Sequence, residues 1–367
     1  MLPMLVATLL WVSSWPDTSV GAGGGGWLNS EASREFPPPH NGLGPADLAV
    51  IINLSDPLSV AIGEYYIRAR HVPAANVGRV RFDPRRDEIP GDEFRALQAS
   101  IDQTLGARVQ AYALTWARPY RVGCISITSA FAMGLEPTYC ASGCTATPVS
   151  PYYDAHTSRP YTELHIHPTM SIAANDFQAA KKLIDRGIQS DGRGQSGIAY
   201  LASTDDAPRN VRAVEYGRSA LELRDRVPIR LIRDSPRQVA EDAMFYFVGA
   251  ASVQQMGRIH FLPGALADHL TSFGGMLTDS PQMSSLRWLE AGATGSYGTV
   301  VEPCNFLGKF PNVTVAMSHY IAGETLIESY WKSVAMPAQG LFIGEPLAAP
   351  YRPRPAPGAP RAAAQAR

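Results

Sequence analysis

Asp268 and His269 stand side by side, with Thr271 and Ser272 just beyond them. Carboxylate, imidazole and hydroxyl are the groups from which nucleophilic hydrolysis is assembled. The chemistry that follows is general-base catalysis by His269. Cys304, Ser272 or Thr271 would be the nucleophile, and Asp268 or Glu302 the group that orients the base. Consecutive residues of a strand face opposite ways, so Asp268 and His269 do not pair merely by adjacency. The alternative is a glycine-permitted turn in Gly264–Gly275, with Asp268 and His269 capping backbone groups. Glu302 and Cys304 flank Pro303 and would meet one pocket across a turn. Thr271, Asp205, Asp206 and Lys309 are candidates for binding substrate. Asp205 and Asp206 follow a predicted strand, where ligands gather in open α/β sheets. Two adjacent acids ahead of a helix also read as its N-cap and first-turn charge.

The four cysteines are too few for a disulfide-built scaffold. Cys140 and Cys144 enclose three residues and are candidates to bridge each other, with Cys124 and Cys304 left as partners or as free thiols. Cys-x3-Cys ahead of His165-x-His167 matches no common zinc spacing, so no metal is assigned. No cofactor is assigned either, because Gly23–Gly26 precedes any predicted strand and lacks the Lys-Ser/Thr that follows a phosphate loop.

These groups need elements to position them. Leu48–Leu54 is a continuous apolar run of the kind buried on both faces of a parallel sheet. Ser55-Asp-Pro57 starts a helix that ends before His71-Val-Pro73, and Val77–Phe82 is the next strand, completing a β-α-β unit. Helices are predicted over 92–105, 175–187 and 210–224. Strands are predicted over 109–116, 197–202, 229–232, 244–248 and 259–262. The alternation predicts an open, mostly parallel α/β sheet with helices on both faces. Residues 128–170 break the pattern with Pro137, Pro148, Pro151, Pro160 and Pro168, and read as an ordered insertion built around four tyrosines.

The organisation that follows is a signal peptide over 1–22, a Gly/Pro-rich linker over 23–46, one α/β domain over 47–350, and a disordered Pro/Ala/Arg tail over 351–367. Leu2–Val12 is too short to span a bilayer, and the small residues Ser19–Ala22 resemble a cleavage site, so no stable membrane segment remains after processing. Of 367 residues, 32 are basic and 33 acidic. The tail carries four Arg and no acid, so the rest of the chain carries −5. No basic excess supports nucleic-acid binding.

Ala291–Asn305, Lys309-Phe-Pro311, Tyr320–Val334 and Gln339–Leu347, together with Asn53–Asp56, Thr204–Asp206, Arg209–Arg212 and 264–275, resemble a family of exported bacterial proteins from genomes that carry exosortase. The resemblance covers about residues 47–350. It implies export to a periplasmic or extracellular location and an envelope context, without an assigned activity. A second resemblance is to gingipain-type and caspase-like cysteine peptidases, which place a His-Gly after one parallel strand and the nucleophilic Cys after the next. This chain has Gly249-Ala250 at the first place and Pro263-Gly-Ala265 at the second. Two classes of function follow: a hydrolase relative without the standard Cys-His dyad, or a non-catalytic binding or assembly protein whose partner is an envelope protein or a polysaccharide.

Overall fold

Leu48–Asn53 forms strand β1 of the computed structural model and is buried along its whole length, as its unbroken apolar sequence requires. The structure describes residues 36–37, 42–194, 196–235, 239–254 and 256–353. The expected signal peptide, most of the linker and the tail from 354 lie outside them. Asp56 accepts from the Leu58 amide and Pro57 occupies the first turn of α1 (Pro57–Arg70). His71, in the left-handed conformation, closes that helix. Strand β2 (Val77–Val80) then pairs parallel to β1. The chain continues through α2 (Gly91–Leu105), β3 (Ala111–Leu114), a hairpin of β4 (Arg121–Val122) and β5 (Ile125–Ser126), and α3 (Ile127–Met133). Next come α4 (Pro160–Leu164), β6 (Thr169–Ser171), α5 (Phe177–Ser190) and β7 (Ile198–Ser203). The remainder comprises α6 (Tyr216–Leu223), β8 (Ile229–Arg233), β9 (Ala240–Gly249), β10 (Ile259–Leu270), α7 (Leu286–Ala291), β11 (Gly295–Thr299), α8 (Val313–Ile321), α9 (Leu326–Ser333) and β12 (Gly340–Gly344).

Ten strands form one sheet in the order β2-β1-β3-β6-β12-β11-β10-β9-β7-β8. The flanks β2-β1-β3-β6 and β11-β10-β9-β7-β8 are parallel ladders. β12 runs antiparallel to β11 and meets β6 at Ile343 and Ser171. The α/β class with an open, mostly parallel sheet is therefore as expected.

Four local expectations change. The strand expected over 259–262 runs on to Leu270: Gly264, at φ 91°, and Pro263 kink it, and the ladder to β9 skips register on either side of Phe261. The helix expected over 210–224 is a 3-10 segment, Asn210–Glu215, followed by α6. The stretch expected as an insertion over 128–170 begins within α3 and ends in β6, a three-residue strand inside the sheet. The folded body also extends beyond both expected boundaries. Leu43 is buried with its amide on Glu328, while Tyr351 packs edge-on to Tyr320 at 5.9 Å. Among the described residues no helix is long and apolar enough to cross a membrane.

Candidate functional site

Because β10 ends at Leu270, Thr271 and Ser272 lie at its C-terminal end, next to Gly249 and Ala250 at the end of β9. This corrects the peptidase comparison: the residues after the second strand are Thr271-Ser272, not Pro263-Gly-Ala265. The sheet order reverses between β7 and β9, which is where an open α/β sheet leaves a crevice. Here the crevice is filled. A side chain at Gly249 would meet the Arg209 carbonyl, and the Thr204 hydroxyl donates to the Gly249 carbonyl at 2.6 Å.

Asp268 and His269 point to opposite faces of β10, as the strand period demands, and both are buried. Asp268 lies 2.7 Å from the Arg212 guanidinium, which also donates to the Val248 carbonyl at 3.1 Å and lies over the Phe247 ring. Burial raises the carboxyl's pKa and Arg212 opposes that rise. His269 Nε2 is 2.9 Å from the Met283 carbonyl, and Nδ1 is 2.9 Å from Trp288 Nε1. A carbonyl only accepts and an indole N–H only donates, so the imidazole is neutral with its proton on Nε2 and its lone pair engaged. Burial pushes its pKa down to about 4. His269 is thus a peg that holds the 271–285 loop to the sheet, and has no free nitrogen with which to act as a base. Neither residue caps a turn, because both lie within β10.

The other candidates separate. Cys304 is bonded to Cys144, and Cys124 to Cys140. Cys140 and Cys144 therefore do not bridge each other: each ties the exposed 140–144 loop to a different segment, and no thiolate is left for catalysis. Glu302 is exposed and accepts from the Cys304 amide at 2.8 Å, closing a local turn. Asp206 receives the Arg209 guanidinium at 3.1 Å on both oxygens, and exposed Asp205 pairs with Arg233. Neither acid caps a helix, since Arg209 is the N-cap of the 210–215 segment and makes no side-chain cap. Thr271 donates to Gln282 Oε1 at 2.6 Å and accepts from Arg209 at 3.2 Å. The Ser272 carbonyl takes the Thr299 hydroxyl at 2.8 Å. Lys309 is wholly buried.

The 271–285 loop and the residues after β9 enclose a cleft of about 530 Å³, lined in part by Ser252, Thr278, Gln282, Met283 and Arg287. Gln282 Oε1 is taken by Thr271 and by the Phe273 amide, which leaves the Nε2 donors for a ligand. Ser280 and Ser284 donate inward, to the Phe273 and Leu277 carbonyls. Arg287 holds Glu290 at 2.7 Å. No carboxylate and no aromatic ring lines the cleft. Nothing in the sequence around Gln282 marked it, because its role depends on where the loop folds back.

A second buried polar cluster also escaped the sequence reading. His319 Nδ1 is 2.9 Å from Glu324 and Nε2 is 3.0 Å from Asp154, while Lys332 donates to Glu324 at 2.8 Å. Burial works against the imidazole's charge, but the two carboxylates outweigh it and raise its pKa. His319 therefore joins the insertion, through Asp154, to α8 and α9. Among the described residues no group of histidine, cysteine and acidic side chains has the geometry of a metal site.

No protein-family model and no curated protein matches the chain. Among solved structures, one described as a protease is similar over 85% of this chain and 80% of its own, at 11% identity and a TM-score of 0.48. At that level no residue and no activity passes from one chain to the other.

Proposed function

We propose that the chain is a non-catalytic binding protein of an oxidising, extracytoplasmic compartment, and that the strand-end cleft holds an extended peptide segment of an envelope protein. One observation carries the reading: both nitrogens of His269 are engaged and the ring is buried, so the hydroxyls of Thr271 and Ser272 have no base there. The cleft supplies donors from Gln282 and Arg287 and no carboxylate, which suits the carbonyls and terminal carboxylate of a peptide. The lack of an aromatic ring gives a sugar face nothing to stack on. Two pairs of bonded cysteines fit an oxidising compartment.

The test is equilibrium binding of a library of unstructured peptides with free C-termini, alongside a turnover assay on fluorogenic peptides. The expected result is retention of a peptide subset without cleavage. Gln282→Ala and Arg287→Ala should each weaken that binding roughly 10- to 150-fold, the effect of losing a hydrogen bond to a charged group. Cleavage that persists in His269→Gln and disappears in Ser272→Ala would overturn the reading in favour of a serine hydrolase with a different base.

A further inference from the structure

Arg212, Lys332 and Arg70 are buried cations, and each meets a carboxylate: Asp268, Glu324 and Glu345. Lys309 is the exception. It is fully buried, its Nζ has no hydrogen-bond or ion-pair partner among the described residues, and it lies 4.9 Å from the centre of the Phe306 ring. The nearby Gln339 Oε1 is likewise buried without a donor, on a turn (Pro337–Gln339) that follows the Met336-to-Gly308 backbone bond. Such a pair of orphaned groups is costly unless it is used.

The segment from Glu302 to Phe306 supplies the amine's aromatic neighbour, and Glu302 accepts from the Cys304 amide within it at 2.8 Å. Cys304 and Asn305 both sit in the left-handed region, at φ 57° and 56°, an uncommon conformation for residues with side chains that asparagine adopts more readily than most. Cys304 is bonded to Cys144, which is exposed in the 140–144 loop and within reach of a reductant in solvent.

We propose that the Cys144–Cys304 bond is a redox gate on Lys309: while it is closed the 302–306 segment seals the amine, and its reduction opens the amine to acylation. A dithiol reductant supplies two electrons and two protons, giving two cysteine thiols and an oxidised dithiol. The uncharged Nζ then attacks the carbonyl carbon of an activated acyl donor. An N–C bond forms, the leaving group departs with its bonding pair, and the nitrogen releases one proton to solvent. Burial already lowers the pKa of this amine, against the opposing effect of Glu302, which favours the uncharged nucleophile.

The chain has four lysines, at 181, 182, 309 and 332, so each can be followed separately. The experiment treats the whole protein with N-hydroxysuccinimidyl acetate, with and without a dithiol, and maps acetylation by mass spectrometry. Reduction should speed labelling of Lys309 about tenfold or more, leave exposed Lys182 unchanged, and leave Lys332 protected by Glu324. Cys144→Ser/Cys304→Ser should label at Lys309 without reductant, whereas Cys124→Ser/Cys140→Ser should still require it. Phe306→Ala, with both disulfides intact, should open Lys309 in the oxidised protein and keeps the test decisive if the double variant does not fold. Rapid labelling of Lys309 in the oxidised wild type overturns the proposal. So does continued protection after reduction, or a rise at Lys309 and Lys332 together, which signals general unfolding.

Discussion

Replacing Arg212 with Met is expected to lower the unfolding free energy by about 3–5 kcal/mol, the cost of stranding one member of a buried ion pair. Arg212 and Asp268 are each 1% exposed, so in the variant the carboxylate has no water to turn to. The same guanidinium donates to the Val248 carbonyl at the end of β9, and that bond is lost as well. Removing both charges in Arg212→Met/Asp268→Leu should recover much of the loss, because an apolar pair of similar volume needs no compensation for desolvation. Urea unfolding of the wild type, the single variant and the double variant measures this. A single variant within about 1 kcal/mol of wild type would show that the pair does not hold the β9–β10 ends together.

The second large effect is a dependence on acid. The His269 imidazole has a folded-state pKa of about 4, below its ordinary 6.5, so the folded state favours the neutral ring. For a histidine depressed in this way the contribution is complete above 6.5 and is lost as pH falls from 6.5 towards 4, because the unfolded chain binds the proton first. At 1.36 kcal/mol per pH unit the loss over that window is about 3 kcal/mol. His269→Gln carries no titrating group there and should show a shallower pH dependence by that amount. Parallel curves for the two proteins between pH 7 and pH 4 would contradict the locked tautomer. Comparing the two proteins cancels the contribution of His167, also buried and pushed down to about 3, which is common to both.

Much of the fold was legible because single residues carried local rules. Asp56 and Pro57 start α1, and the unbroken run from Leu48 needs both faces covered. What escaped is what local rules do not encode. β6 is three residues long behind Pro168, and β11 is Gly-Ser-Tyr-Gly-Thr, without the apolar run that marks a buried strand. There the small residues serve close approach: a side chain on Gly298 would lie within 2.4 Å of the Gly274 backbone. β10 was cut short at Pro263-Gly264, which in the structure is a bulge rather than an end. That one boundary moved the site, since Thr271 and Ser272 become strand-end residues only if the strand reaches Leu270. The sequence singled out Asp268 and His269, and both matter, but their partners Arg212, Trp288 and Met283 lie in other segments. The strand period already sets Asp268 and His269 on opposite faces, but only packing shows that each makes a structural contact there.

The position of β12 has a bearing on how the chain is made. It lies between β6 and β11, so the two parallel flanks of the sheet are joined by residues 340–344. A growing polypeptide can assemble β1–β3 with β6, and later β7–β11, yet each block keeps an uncovered strand edge until its final strand emerges. Completion of the sheet therefore waits until residues 340–344 have been made. A ribosome stalled before residue 340 would hold two half-sheets with sticky borders, and a chaperone that shields those borders would act in that interval.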